Sequence, residues 1–298
     1  MSLWDIHGSL LLSGNIKTLA GCISIIENEI PGYESLLEKL PSLSTPVIGI
    51  TGPPGAGKSS LVDALISKIV SDNKKVGVLC VDPSSPFNMG ALLGDRIRMS
   101  QWYTHENVFI RSLASRGSLG GLHPKIIEIT ELVKSAGFDY VLIETVGVGQ
   151  SEIEIAGLAD ITTVVLVPEA GDEIQTMKSG LMEIADIFVV NKSDRPDADS
   201  FVKNLQAMLS PALQRDHFIP IIKTVALQQQ GIDELYNAIL TKAQHLVKNE
   251  KYFWLLAEKV YYIIQQKRMR DVSKGDLKNE IAQQIEPFNL YQFIKKYT

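Results

Sequence analysis

Short apolar runs rich in β-branched residues alternate along the chain with longer amphipathic segments, the rhythm of βαβ units around a mostly parallel sheet. The runs predict strands at 47–51, 76–81, 140–144, 162–167, 187–190 and 218–223. After the first, Leu61, Leu65, Ile66 and Ile69 recur at helical spacing. Ile174, Met177, Leu181 and Ile184 do the same between the fourth and fifth. Both stripes are predicted to pack on the sheet. The expected fold is therefore α/β: a mostly parallel central sheet flanked by helices, spanning residues 44–245.

Two flanks break this rhythm. Residues 1–43 carry a helical pattern (Leu19, Ile23, Ile26) that stops at Pro31-Gly32, and a Pro/Ser-rich connector, PSLSTP, follows at 41–46. A helical extension is predicted there. Residues 246–298 hold nine of the 21 aromatic residues. Phe253, Leu256, Ala257, Val260 and Ile264 share one helical face, while Trp254, Leu255, Tyr261 and Tyr262 put apolar surface on others. Either the parent domain buries the remainder or the segment is a helical arm for dimerisation or partner docking, and the arm is the favoured reading.

Composition narrows the classes of function. The chain has 298 residues, 45% hydrophobic and 21% charged, which suits a folded globular protein and excludes a disulfide miniprotein. Net charge is -5, so nothing global draws a polyanion, and neither a nucleic acid nor a membrane surface is an expected partner. The tail has ten Lys/Arg and six Asp/Glu, a surplus of +4, leaving -9 for the rest. Cys22 and Cys80 sit in apolar surroundings, as buried thiols do in a reducing compartment, and a cytoplasmic location is expected. No apolar run reaches 18 residues, and an acid precedes the first lysine, unlike a signal peptide. Five scattered histidines and two cysteines offer little for a thiolate or imidazole metal site.

The first predicted strand runs into Gly52-Pro53-Pro54-Gly55-Ala56-Gly57-Lys58-Ser59, the pattern G-x-x-x-x-G-K-[ST] between a strand and a helix. Helix N-termini attract phosphate through N–H groups and the macrodipole, and the glycines admit close backbone approach. Lys58 is placed for the β- and γ-phosphates, Ser59 for Mg²⁺, and Ser60 near the α-phosphate. Another strand leads into Asn191-Lys192-Ser193-Asp194, the N-K-x-D pattern. A carboxylate at Asp194 can accept from guanine N1–H and N2–H₂, whereas adenine presents an acceptor at N1, so GTP is preferred over ATP. Asn191 is expected to brace the loop and reach the base, with the Lys192 stem along the base face. The last strand ends at Thr224-Val225-Ala226, where GTPases usually present Ser-Ala to support the guanine O6 by a backbone N–H, and Ala226 keeps the small residue and its amide, so guanine recognition is expected to survive. Glu144, three residues before Gly147, fits a Mg²⁺-side acid followed by a γ-phosphate-sensing glycine. Asp82 at a strand end and Asp95 in a glycine-containing loop are further candidate Mg²⁺ neighbours.

Together these segments resemble the G-protein metallochaperones of adenosylcobalamin-dependent methylmalonyl-CoA mutase (the MeaB, MMAA and ArgK group). Their bacterial members are also known as lysine/arginine/ornithine transport-system ATPases or kinases, within the SIMIBI class of P-loop GTPases. The matching stretches include GITGPPGAGKSSLVDAL, VDPSSPFNMGALLGDRIRM, FIRSLASRGSLGGL, DYVLIETVGVGQSEIEIAG and AGDEIQTMKSG, with ETVGVGQSE and AGDEIQ the most specific. The resemblance implies a GTPase with GTP or GDP and Mg²⁺ as ligands and a cobalamin-dependent acyl-CoA mutase as partner, although the chain shows no cobalamin-binding motif of its own. It places Lys58, Ser59, Asp82, Asp95 and Glu144 at phosphate and magnesium positions and Asn191 and Asp194 at base positions. It implies switch roles for Gln150, Asp172, Glu173 and Lys178. Read alone, Glu173 is a first-turn helix acid and Lys178 a solvated lysine. Asn88-Met89, Ser118 and Val225 depart from the family pattern.

Three rival readings follow. A transport-associated kinase conflicts with the N-K-x-D loop and the lack of HRD and DFG motifs. A metal-insertion GTPase would need Cys/His clusters. A scaffold with a vestigial site conflicts with the intact Lys58, Ser59, Asp82, Glu144 and Asp194.

Overall fold

The computed structural model describes residues 2–42, 44–82, 99–115, 122–147, 151–170, 182, 184–209, 219–244, 250–284 and 288–297. Among the described residues seven strands form one sheet: β1 Val47–Thr51, β2 Val76–Asp82, β3 Val108–Ala114, β4 Tyr140–Glu144, β5 Ile161–Leu166, β6 Ile187–Val190 and β7 Ile221–Lys223. Their order is β3-β2-β4-β1-β5-β6-β7, and every neighbouring pair is parallel. The order reverses at β1, whose carboxyl end therefore opens onto the crevice where doubly wound sheets bind ligands.

Five predicted strands match the structure to within one residue at each end, and the sixth is confined to Ile221–Lys223, with Phe218 outside the described residues. Strand β3 escaped the hydrophobic pattern because Arg111 and Ser112 interrupt its apolar run. An edge strand tolerates this here because the Arg111 guanidinium donates to Glu27 and to Ser24 Oγ (3.1 Å), both on the helix Ile16–Glu27. The charge is thus neutralised by a partner 84 residues away.

Strands β1, β2 and β4 to β6 are buried on both faces, as parallel strands under two helical layers must be. The helices are, in chain order, α1 Leu3–Leu12, α2 Ile16–Glu27, α3 Glu34–Leu37, α4 Lys58–Ser71, α5 Ile126–Lys134 and α6 Ser151–Leu158. The set continues with α7 Ala198–Leu209, α8 Ile232–Gln244, α9 Glu250–Arg268, α10 Lys274–Gln283 and α11 Leu290–Ile294. Ile48, Ile50, Val76 and Val78 face α4 and α8, meeting Leu61, Leu65, Ile66 and Leu235. Val47, Leu79, Val81 and Val141 face the other way, onto a layer that joins α5 and α6 to the amino-terminal helices through Leu19, Ile23 and Ile26. Helix α7 covers β5 and β6 with Phe201 and Leu205 against Phe188. Cys22 and Cys80 are buried on opposite faces of the sheet, which excludes a bridge between them, and burial pushes the Cys22 thiol up. Of the predicted stripe after the fourth strand, Ile174, Met177 and Leu181 lie outside the described residues.

The chain separates into two compact units, 1–247 and 248–298. Within the second, Phe293 is buried beside Phe288 and Tyr297, and the Tyr297 hydroxyl donates to Glu280 Oε1 at 2.7 Å. Phe253, Trp254, Leu256, Val260 and Tyr261 on α9 present apolar surface that this unit does not cover. No helix among the described residues is long and apolar enough to cross a membrane.

Gly49 fixes how closely α6 approaches β1. A Cβ there would lie 2.5 Å from Ile155 Cγ1 and 2.9 Å from the Ala159 Cβ, so a side chain forces the helix off the strand that carries the phosphate loop. Gly49→Val is expected to destabilise the protein by about 1–3 kcal/mol, seen as a lower denaturant midpoint with an unchanged m value.

Candidate functional site

The loop from Gly52 to Gly57 leaves the carboxyl end of β1 and enters α4 at Lys58. Two of its glycines are required by close contacts as well as by conformation. Gly52 has φ 140°, and a Cβ there would stand 2.1 Å from the Val165 carbonyl oxygen. Gly57 caps α4 with φ 86°, and a Cβ would reach within 2.4 Å of the Asn191 side-chain nitrogen. The loop therefore turns flush against β5 and β6. Behind it, the Thr51 and Thr145 hydroxyls lie 3.0 Å apart in the core, joining β1 to the segment after β4.

Lys58 is buried, and its ammonium donates to the carbonyls of Gly52 (2.8 Å) and Pro53 (3.1 Å). Gly147, with φ 82°, abuts it: a Cβ would lie 2.3 Å from Lys58 Nζ. Any side chain at 147 would displace the lysine. Ser59 donates its hydroxyl to Glu144 Oε1 at 2.7 Å, and both groups are buried. A hydroxyl whose proton is turned to a carboxylate is an oxygen donor of the kind Mg²⁺ accepts. Asp82, at the end of β2, is buried nearby on the wall of the same cavity.

Asn191, 2% exposed, joins three segments. Its amide nitrogen donates to the Ala56 carbonyl at 2.9 Å, while its oxygen accepts from Thr224 Oγ1 (3.1 Å) and from the Ala226 N–H (3.2 Å). The phosphate loop, the turn after β6 and the turn after β7 are thereby locked together. The Ala226 amide, expected from sequence to support guanine, is engaged by Asn191. Lys192, at φ 56°, reaches back to the Gly55 carbonyl (2.7 Å), and Arg195 N–H closes the turn onto the Lys192 carbonyl (3.1 Å). Arg195 also pairs with Glu169 just after β5, which lowers that carboxyl's pKa. Asp194 is exposed on this turn. Val225 is buried, and its N–H donates to the Gln230 carbonyl at 3.1 Å, so the valine fills the place of the usual serine by packing.

These elements enclose a cavity of about 810 Å³, a size suited to a nucleotide. Its wall includes Gly55, Gly57, Lys58, Ser59, Ser60, Asp82, Glu144 and Lys192. Gly52, Ala56, Asn191, Gly147 and Ala226 brace it from behind. Asp95, Gln150, Asp172, Glu173 and Lys178 lie outside the described residues, as do Asn88, Met89 and Ser118. Two wall residues carried no sequence signal. Asp63 on α4 accepts from the Trp102 indole N–H (2.7 Å) and Gln101 (3.1 Å), and Leu227 stands at the rim. A lone acid and a lone leucine repeat no pattern, so only the packing reveals them.

Among the described residues no group of three or more His, Cys, Asp or Glu could hold a metal ion by itself. A hydroxyl beside carboxylates is instead the donor set that suits Mg²⁺, which takes few protein ligands when phosphate oxygens share it.

Fold and site thus define a P-loop GTPase: a parallel sheet, a phosphate loop opening a helix, and an N-K-x-D turn clasped to that loop. The family described as methylmalonyl Co-A mutase-associated GTPase MeaB matches residues 19–279, and the chain belongs to that family. A Pyrococcus horikoshii protein named as a GTPase is 41% identical over 282 residues, covering 93% of this chain and 86% of that one. The fused isobutyryl-CoA mutase of Geobacillus kaustophilus is 34% identical over 252 residues, 77% of this chain and 23% of that longer protein. Among solved structures, a LAO/AO transport system kinase superposes with a TM-score of 0.65 at 27% identity, covering 88% of this chain and 84% of that one.

Replacing Asn191 with alanine would leave the Ala56 carbonyl, the Thr224 hydroxyl and the Ala226 N–H without this shared partner. Asn191→Ala is expected to cost about 2–3 kcal/mol of stability, measured by denaturant unfolding, and to weaken phosphate-loop and base contacts together.

Proposed function

We propose that this chain binds GTP with Mg²⁺, hydrolyses it to GDP and phosphate, and serves as a conformational chaperone for cofactor loading of an adenosylcobalamin-dependent acyl-CoA mutase, methylmalonyl-CoA mutase in the first instance. The observation that carries the nucleotide part is the Asn191 clasp, which puts a guanine-type turn against a phosphate loop whose Lys58, Ser59 and Glu144 share one buried wall. The family description and the mutase-fused relative support the partner.

Lys58 holds the β- and γ-phosphate oxygens, and the Gly147 amide reads the γ-phosphate from beside it. Ser59 would ligate Mg²⁺ directly, with Glu144, Asp82 and Asp95 around it through water. The ion's part is to offset charge that builds on the phosphate oxygens. In hydrolysis a water oxygen bonds to the γ-phosphorus, the bond from that phosphorus to the β–γ bridging oxygen breaks, and GDP departs with the bridging oxygen. Asp194 accepts from guanine N1–H and N2–H₂. Among the described residues no side chain on the cavity wall is placed as a dedicated base, and an intrinsic turnover near ~10⁻³ s⁻¹ with partner stimulation of ~10³ to 10⁵ is expected.

Gln150, Asp172, Glu173 and Lys178 act in this reading as the switch that reports nucleotide state to the mutase. Residues 246–298 form the arm for a homodimer or for the mutase, using the apolar face of α9. The chain works in the cytoplasm, without nucleic acid or membrane.

The similarity to a transport system kinase raises a second reading, phosphate transfer to a binding protein. The Asn191–Asp194 turn opposes ATP as donor, and assays with labelled ATP and GTP separate the two. A nickel-insertion role gains no support from the described residues.

Titrating a cobalamin-dependent acyl-CoA mutase into the protein is expected to raise the GTP turnover rate at least tenfold, and an unchanged rate would count against the partner. Asp194→Asn replaces an acceptor with an amide that can donate to the O2 of xanthine. It is expected to weaken GDP binding at least tenfold and to gain affinity for xanthosine diphosphate, both read by calorimetry.

A further inference from the structure

We propose that Arg195 is a positioning residue for guanine, holding the Asp194 carboxylate at the base edge through a clamp onto Glu169. This rests on the guanine reading of the Asn191–Asp194 turn and extends it to a residue outside the N-K-x-D pattern. The starting observation is that the group carrying the base specificity has no brace of its own. Asp194 is exposed, and its side chain makes no hydrogen bond or ion pair with any described residue. A carboxylate on a surface turn has several rotamers open to it, so its aim depends on how firmly its backbone is held.

Both chain neighbours hold it. On the amino side, the Ser193 N–H donates to the Thr224 carbonyl at 3.0 Å, which ties the turn to the end of β7. On the carboxyl side, the Arg195 N–H donates to the Lys192 carbonyl at 3.1 Å, and the Arg195 guanidinium pairs with Glu169, just past the end of β5. The turn is thus stretched across the end of β6 between that strand's two neighbours in the sheet, with Asp194 in the middle. Pro196 comes next and has no N–H with which to hold the chain, so on this side the hold falls to Arg195. The turn needs it: Lys192 adopts φ 56°, a left-handed conformation that a side-chain-bearing residue keeps only when its surroundings enforce it.

Charge favours the same arrangement. The hydrogen bond from Arg195 holds the Glu169 carboxyl below its ordinary range, and the Lys192 charge adds to it, so Glu169 is ionised at neutral pH. An unpaired guanidinium next to Asp194 would compete with the base for that carboxylate. Paired with Glu169, Arg195 leaves Asp194 to the guanine edge. The two side chains are 46% and 49% exposed, which limits the effect of the pair to a few-fold in affinity and keeps its removal from threatening the fold.

The test is calorimetric titration of the full chain with GDP and with inorganic pyrophosphate, each with Mg²⁺. Arg195→Ala is expected to raise the GDP dissociation constant about threefold to fivefold and to leave pyrophosphate binding within about 1.5-fold of the wild type. In an Asp194→Ala protein the same substitution is expected to have no further effect on GDP, since it acts through that carboxylate. Glu169→Ala is expected to weaken GDP at least as much as Arg195→Ala, because it frees the guanidinium beside Asp194, and combining the two is expected to add nothing. Unchanged GDP affinity in Arg195→Ala, an equal loss for pyrophosphate, an undiminished loss in the Asp194→Ala protein, or additive losses from Arg195→Ala and Glu169→Ala would overturn the assignment while leaving the guanine site standing. An Asp194→Ala protein that binds GDP as tightly as the wild type would overturn the guanine reading itself.

Discussion

The buried amide of Asn191 fastens the phosphate loop to the turns that follow β6 and β7, with all three of its described hydrogen bonds made to segments distant in sequence. Without that connection the cavity would be two half-sites on separate strand ends. Its oxygen takes two donors and its nitrogen reaches the Ala56 carbonyl, so the distance from phosphate to base is set by one rigid planar group. Gly57 must be glycine to admit it, because a Cβ there would collide with the same nitrogen. A helix N-terminus supplies phosphate affinity on its own, but only the clasp gives that phosphate a fixed neighbour for its base.

The sheet order puts this clasp where it can act. β1 lies between β4 and β5, and β6 and β7 follow on one side while β2 and β3 lie beyond β4 on the other. In the proposed reading, acidic groups for the cation side come from the ends of β2 and β4, and base-side groups come from β6 and β7. Lys58, Gly52 and Gly147 meet at the centre within contact distances that leave no room for a methyl group. Each strand end therefore delivers one kind of chemistry, and the chain continues from Gly147 directly into the segment in which the family resemblance places the switch residue Gln150.

Most of this was legible in the chain, for reasons of distance. The phosphate loop spends its whole signal on consecutive residues between a strand and a helix, and strands buried on both faces announce themselves as unbroken apolar runs. Strand β3 did not, because the charge of Arg111 is cancelled by Glu27 only after folding. The Ala226 amide was expected at the guanine, but its engagement by Asn191 depends on how β6 sits beside β7. Leu227 lay hidden among Gln228, Gln229 and Gln230, where no periodicity marks it and only its exposure at the rim does. The unit from 248 onward shows the opposite balance: its aromatic surplus was plain in the sequence, and its own residues leave Phe253, Trp254 and Tyr261 of α9 uncovered.

A crystal structure of the protein with GDP and Mg²⁺ tests the account most directly. The account predicts the β-phosphate against Lys58, the cation on Ser59, the guanine edge on Asp194 with the Lys192 stem along its face, and Asn191 still bonded to Ala56 and Ala226. A base turned away from Asp194, or an Asn191 side chain released from the Ala56 carbonyl when nucleotide binds, would contradict it.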